Sequence, residues 1–475
     1  MVRPAASAPS RRSGRRYDLL AAGAGALLFA VAAVVGTVME NSTGTLRAPW
    51  PPLLADWMPH IGPGTPAALL VAAGVVVYGR SLAARLSWRR LTWLSYAAAL
   101  AWTWSLALVD GWQMGVVDRL TSRYEYLRQV DRFGDVGATL RDFTRYIVDA
   151  PVNWVPHIAG HPPAAILTFV GLDRVGLGGG GWAAAFCVAT GASVSAAVLV
   201  TLRALGAERA ARRAAPFLVL TPGAIWVGAS ADAYFAAVAA WALALLALAA
   251  TRTVRAPAVA ALGSGLLFGL TLYLSYGLAL MVLPAAAVFL CARTLRPLPL
   301  AALGIAVVAG AFTLLGFRWW DAYSLVVERY NQGSGGIRPY GYWVWGNLAA
   351  AVAAAGLAPV AGVRRAVRAA PEAVRHWWRA LRAPRGALPA VDARIGTSTD
   401  GGNRVVVLLV CAFLLALLAA DLSGMSKAET ERIWLPFTLW LPAAVALLPA
   451  RDHRGWLAAQ AVTALLVNHL LYTYW

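Results

Sequence analysis

Near its N-terminus the chain reads Arg11-Arg12-Ser13-Gly14-Arg15-Arg16-Tyr17-Asp18. It then continues Leu19-Leu20-Ala21-Ala22-Gly23-Ala24-Gly25-Ala26-Leu27-Leu28-Phe29-Ala30-Val31-Ala32-Ala33-Val34-Val35-Gly36-Thr37-Val38. The run 19–38 carries no charge and matches the roughly 20 apolar residues a helix needs to cross a bilayer. It is longer than the apolar core of a signal peptide and lacks a convincing cleavage site. It therefore reads as a retained span whose flank is made basic by Arg3, Arg11, Arg12, Arg15 and Arg16.

The pattern recurs along the 475 residues, with further apolar runs near 67–79, 91–109, 182–202, 215–229, 233–250, 257–273, 277–292, 298–316, 344–362, 405–420, 436–449 and 456–473. The predicted fold class is all-α, a polytopic membrane helical bundle of about 13 spans. Composition agrees: 60% of residues are hydrophobic and 13% charged, where a soluble domain carries about 25% charged residues. A soluble enzyme, a disordered chain and a nucleic-acid binder are all poor fits.

The net charge of +19 follows from topology. With the N-terminus cytoplasmic, segments 1–18, 80–90, 203–213, 251–256, 293–297, 363–404 and 450–455 face inward and hold 28 of the 41 basic residues but 6 of the 22 acids. Positive charge on cytoplasmic loops orients multispanning proteins. The exterior segments keep 13 basic and 16 acidic residues, and the C-terminus falls outside. No nucleic-acid partner is needed to explain the charge. The expected location is the cell inner (plasma) membrane, multi-pass, with membrane lipids as neighbours. Cys187, Cys291 and Cys411 all lie in apolar runs and offer neither a disulfide framework nor metal-ligand spacing.

The chain divides into 1–109 (tail, three spans and first exterior loop), 110–181 (long exterior loop), 182–362 (central bundle with exterior loop 317–343), 363–404 (cytoplasmic basic segment and linker) and 405–475 (final spans with exterior loop 421–435). Within 110–181, the stretches 117–130 and 136–147 repeat apolar residues at helical spacing, as interfacial helices do. Loop 317–343 and its edge are rich in Trp and Tyr, including Trp319, Trp320, Tyr323 and Trp343, which suits an aromatic belt or a sugar-stacking platform. The stretch 363–388, with Trp377 and Trp378, has the basic amphipathic pattern of a segment on anionic headgroups, and 391–403 reads as a linker.

Asp110 ends a span at its exterior mouth, where partial desolvation raises a carboxylate's value as a base. Downstream stands Trp154-Val-Pro-His157-Ile-Ala-Gly-His161-Pro162-Pro163, and His161 before two prolines marks a helix start. His157 and His161 have the spacing of a metal pair, but Gly160 and Pro162 interrupt the helix and no third ligand is evident, so no metal is expected. Late in the chain, Asp421-Leu-Ser-Gly-Met-Ser-Lys427-Ala-Glu429-Thr-Glu431-Arg432 places two cations outside, where topology does not ask for them.

An acid after an early span, an amphipathic exterior loop and His-Pro-Pro opening the next helix resemble the GT-C superfamily of integral-membrane glycosyltransferases. Tyr124-Glu125-Tyr126-Leu127, running on to His157 and His161-Pro162-Pro163, is similar to the branch that builds bacterial cell-envelope glycans, which includes mannosyl-, arabinofuranosyl- and methylthiopentosyl-transferases. The stretch from Pro222 to Asp232 is similar to a later part of that fold, and the late acid-plus-arginine loop to another. The resemblance covers under a third of the chain, roughly 110–232 and the late loop. It departs in one respect: the family's acid follows the first span, where this chain has Glu40, whereas Asp110 follows the third.

The resemblance implies an inverting transfer on the exterior face, from a polyprenyl-phosphate sugar to an envelope polysaccharide or glycolipid. Asp110, with Glu40 second, is the expected general base. Glu125, His157, His161, Asp232, Lys427, Glu431 and Arg432 are the expected substrate-binding residues, with His161, Lys427 and Arg432 as cations for the leaving phosphate. No cofactor beyond the donor lipid is implied. A transporter or lipid flippase is the rival reading. It calls for ionisable residues in mid-span and matched, broken halves, and neither is evident.

Overall fold

The computed structural model describes residues 11–148, 150–382 and 399–474. They form a membrane-embedded helical bundle with almost no sheet. In chain order the main elements are α1 (Arg11–Thr43), β1 (Ala55–Trp57), α2 (Thr65–Arg85), α3 (Trp88–Ala107), α4 (Ala164–Arg174), α5 (Gly180–Ala204) and α6 (Glu208–Val219). There follow α7 (Ala231–Thr251), α8 (Pro257–Leu274), α9 (Tyr276–Ala292), α10 (Leu298–Leu314), α11 (Trp319–Gln332), α12 (Tyr340–Ala355) and α13 (Leu357–Arg382). The chain closes with α14 (Thr399–Leu422), α15 (Leu435–Leu447), α16 (His453–Leu470) and β2 (Leu471–Thr473).

Six of these, α1, α2, α5, α7, α8 and α14, are long and apolar enough to cross a membrane. The number reaches eight if two bent pairs each count as one span: α10 with α11, bent by 75°, and α12 with α13, bent by 112°. The sequence predicted about 13, and the difference lies partly in buried, broken segments. The run 215–229 holds the end of α6, a turn at Thr221-Pro222-Gly223 and a single helical turn, Ala224–Val227. The chain can break here because protein, not lipid, surrounds it. Gly223 donates its N–H to the Ala354 carbonyl (2.7 Å), and the Phe217 carbonyl accepts from the Gln460 side chain (3.0 Å).

Helix α7 lies at the centre, buried along 83% of its most apolar window. Helices α8 and α10 approach so closely that a Cβ on Gly265 would stand 2.1 Å from the Ala301 carbonyl oxygen. Small residues on facing helices permit this contact, which substitutes for the hydrophobic drive that lipid does not supply.

Charge separates to two ends of the bundle. At one end, Asp18 is buried between Arg364 (2.6 Å) and Arg365 (2.7 Å), and Arg212 reaches Glu208 and the carbonyls of Ala83 and Leu86. The opposite end carries 39–66, 110–181, 317–343 and 421–435. There β1 pairs antiparallel with β2, Asp56 opposite Tyr472, and this tie brings the chain's last strand to the first loop.

Segment 110–181 is helical in short pieces, among them Tyr126–Phe133, Val136–Arg141, Phe143–Tyr146 and Pro156–Ala159. Asp135 caps the second of these by accepting from the Ala138 N–H (2.9 Å). Their apolar residues turn onto protein: Phe133, Phe143, Ile147 and Trp154 are all buried, with Phe143 edge-on to Phe317. In the aromatic loop, Trp319 bonds the Leu272 carbonyl and Trp343 is buried, while Trp320 stays exposed. The stretch 383–398, with most of the predicted linker 391–403, lies outside the described residues, as do the side chains of Trp377 and Trp378.

Candidate active site

The loop-rich end gathers a chain of charged side chains with almost no exposure. Asp110 sits in the helical turn that follows α3. Its Oδ1 meets His60 Nε2 and its Oδ2 accepts from Arg119, both at 2.7 Å. His60 Nδ1 donates to the Met58 carbonyl (2.6 Å), and Arg119 also donates to the Thr473 carbonyl on β2. Both carboxylate oxygens of Asp110 are thus engaged.

In the same region, Glu125 Oε1 accepts from His157 Nδ1 (2.9 Å). His157 Nε2 faces Arg432 Nη2 at 3.1 Å. A guanidinium can only donate, so Nε2 carries the lone pair and the ring proton sits on Nδ1, directed at Glu125. Arg432 also pairs with Asp232, at the start of α7, and with Glu429 (2.8 Å). Glu429 in turn meets Arg338 (3.3 Å), whose remaining donors reach the carbonyls of Leu46, Arg47 and Lys427. Burial opposes the charge on Arg432, but Asp232, Glu429 and Glu125 outweigh it and fix the guanidinium as a cation. Burial alone would raise Glu429. Arg432 and Arg338 instead hold it below the usual carboxylate range.

Arg119, Glu125, Tyr126, His157, Ala229, Ser230, Ala231 and Arg432 line one narrow cavity. Among the buried polar atoms on these residues, Arg119 Nε, Glu125 Oε2 and Ser230 Oγ lack a hydrogen-bond partner among the described residues. Ser230 is the N-cap of α7, yet its side chain makes no capping bond. Ala229 before it is held at φ +70°, a conformation L residues rarely adopt and one that marks functional turns. The 21-residue α7 therefore presents its positive end to a cavity that also holds two arginines and a carboxylate oxygen without a hydrogen-bond partner among the described residues.

The sequence-derived residues sort into three groups. Glu125, His157 and Arg432 line the cavity, with Asp232 joined to it through Arg432 and Asp110 through Arg119. His161 does precede the predicted helix, α4, but its Nδ1 is bonded to the His157 carbonyl (2.8 Å) and its ring packs against Tyr126 and Phe235. Burial lowers its pKa to about 4, so at neutral pH it is not the cation expected of it. Lys427 spends its ammonium on the Gly335 carbonyl (2.7 Å), and Glu431 accepts the Leu54 N–H (3.0 Å). Glu40 binds the N–H groups of Leu46 and Arg47 (2.8 and 3.0 Å), shaping the backbone that Arg338 then reads. None of these last three lines the cavity.

Arg119, His60 and Ser230 were not singled out from sequence. Arg119 left no distinguishing signal, being one of several arginines in 110–181. Comparison with known protein families finds no match, and a search of curated proteins finds no relative.

Proposed function

We propose that the chain is a membrane glycosyltransferase of GT-C type, moving a sugar from a polyprenyl-phosphate donor to a cell-envelope glycan or glycolipid acceptor at the exterior face of the plasma membrane. The observation that carries this reading is the cavity where the α7 N-terminus, Ser230, Arg119, Arg432 and the unbonded oxygen of Glu125 converge. At about 10 Å³ the cavity has room for a water and must widen to take a donor. A helix N-terminus with two arginines then suits a lipid phosphate whose negative charge grows as it leaves.

In this mechanism the acceptor hydroxyl attacks the anomeric carbon. Its proton passes to Glu125 Oε2, the C1–O bond to phosphate breaks with inversion, and the electron pair stays on the phosphate oxygen beside Arg119 and Arg432. His157, donating to Glu125 Oε1, orients the carboxylate. The base role moves from Asp110 to Glu125 because both Asp110 oxygens are committed. Asp110 instead positions Arg119. No general acid is required, since phosphate is already a good leaving group.

The contacts support a chain that passes about 13 times between its ends, as the apolar pattern suggests. Among the described residues, segments assigned inside meet one another at the arginine-rich end, as Arg15 does with Asp452 and Arg212 with Ala83. The exterior assignment of the cavity follows from the arginine excess at the other end.

Binding of polyprenyl phosphate to the purified chain tests the phosphate site. Ser230→Ala, which loses one hydrogen bond to a charged group, is expected to weaken binding about tenfold. Arg432→Ala is expected to weaken it further, and Arg432→Lys to restore it only in part, because a point charge does not replace a planar fork. Unchanged affinity in both Ser230→Ala and Arg432→Lys contradicts the site.

A further inference from the structure

The arginine-rich end holds a second, wide cavity, between the start of α1, the α13 face and the first turns of α14. Its walls carry Arg364, Arg365, Arg368, Arg375, Arg404 and His376, with Glu372 as the one carboxylate among the described residues that line it. Asp18 answers part of this charge, lying between Arg364 and Arg365 and taking both of its oxygens out of play. Arg368 and Arg375 have no carboxylate partner among the described residues. Arg375 Nε is turned back to the Pro371 carbonyl of its own helix (3.2 Å), which leaves the outer edge of its fork to the cavity. Arg404 donates not to an acid but to His376 Nε2 (2.8 Å), a ring that must offer a lone pair to receive it.

Among the described side chains, five guanidinium groups face two carboxylates around one concave space. Arg368 and Arg375 are exposed, and an anion seated among these like charges would relieve their repulsion. Forked donors converging from two helices suit phosphoryl oxygens better than a lone carboxylate. A generic basic surface needs no such concavity and no arginine turned onto a histidine.

We propose that this cavity is a binding site for a phosphomonoester or pyrophosphate group, separate from the glycosyl-transfer cavity at the opposite end and independent of that reading. The group comes either from a lipid headgroup at the membrane surface or from a soluble phosphate.

The test is titration of the purified full chain in a neutral detergent with inorganic pyrophosphate, read by calorimetry. Saturable binding is expected. Arg368→Gln and Arg404→Gln should each weaken it about tenfold, the loss of a charged hydrogen bond, while Arg368→Lys recovers part of it. Neither arginine holds Asp18, so the thermal unfolding midpoint should stay at the parent value. Repeating the titration in nanodiscs of phosphatidylcholine, with and without phosphatidic acid, separates the sources. Competition by phosphatidic acid assigns the site to a lipid phosphate, and undiminished pyrophosphate binding beside phosphatidic acid assigns it to a soluble one. No saturable binding in detergent, or binding indifferent to both substitutions, overturns the proposal.

Discussion

In the proposed mechanism two carboxylates compete for the role of base, and their hydrogen bonds separate them. Asp110 is saturated by His60 and Arg119, whereas Glu125 keeps Oε2 buried and unbonded beside Ser230 and Arg119. Glu125→Gln should therefore lower kcat by about 10²–10⁴-fold, the usual worth of a general base, with donor affinity retained. Asp110→Asn loosens Arg119 and should act mainly on the KM for the lipid donor. Initial rates over a range of donor concentrations distinguish the two, and the reverse pattern returns the base role to Asp110. Glu431 gives a pH-dependent prediction. Burial pushes it up to about 7, so between its ordinary 4.5 and that value the folded chain holds a proton the unfolded chain has released. Stability contributed by Glu431 is thus full below about 4.5 and falls as pH rises towards 7. His161, lowered to about 4 by burial, contributes in the opposite sense as pH falls from 6.5. The quantity to measure is therefore the difference in unfolding midpoint between Glu431→Gln and the parent. It should grow in the variant's favour from pH 4.5 to 7, and a flat difference contradicts the assignment.

At the scale of elements, glycines decide how closely helices meet. A side chain at Gly265 collides with the Ala301 carbonyl, and one at Gly304 would stand 2.6 Å from the Leu262 carbonyl. Gly265→Val should force α8 from α10 and cost about 1–3 kcal/mol, as overpacking does. Gly310→Val, which meets nothing within 4 Å, is the matched control. Thermal unfolding in detergent reads both, and equal midpoints contradict the close packing. The long apolar helices were legible in sequence because a bilayer demands length and apolarity together, and α1, α7 and α14 show both. The broken segment 215–229 was not, because its apolar run is continuous and only tertiary contacts to Ala354 and Gln460 reveal that Pro222-Gly223 ends the helix. The start of α4 was legible from Pro162-Pro163. The burial of the His161 ring against Tyr126 and Phe235 depends on elements far apart in the chain and left no local trace.

Over the whole molecule, the sorting of charge set the two ends apart before any contact was known, with arginines at one and most acids at the other. Glu125, His157, Asp232 and Arg432 were legible as candidate site residues through the motifs that resemble the GT-C superfamily, and the fold brings them together at the acid-rich end. Arg119 and Ser230 required the fold, since only the packing of 119 and 229–231 against Arg432 makes one cavity of them. The central claim is that this cavity transfers a sugar from a lipid phosphate. Its most direct test is to supply membranes containing the chain with a panel of radiolabelled polyprenyl-phosphate sugars and follow the label into envelope glycan or glycolipid. The account predicts that one donor is consumed by the parent chain and spared by Glu125→Gln; membranes in which no donor is consumed, or in which Glu125→Gln transfers at the parent rate, contradict it.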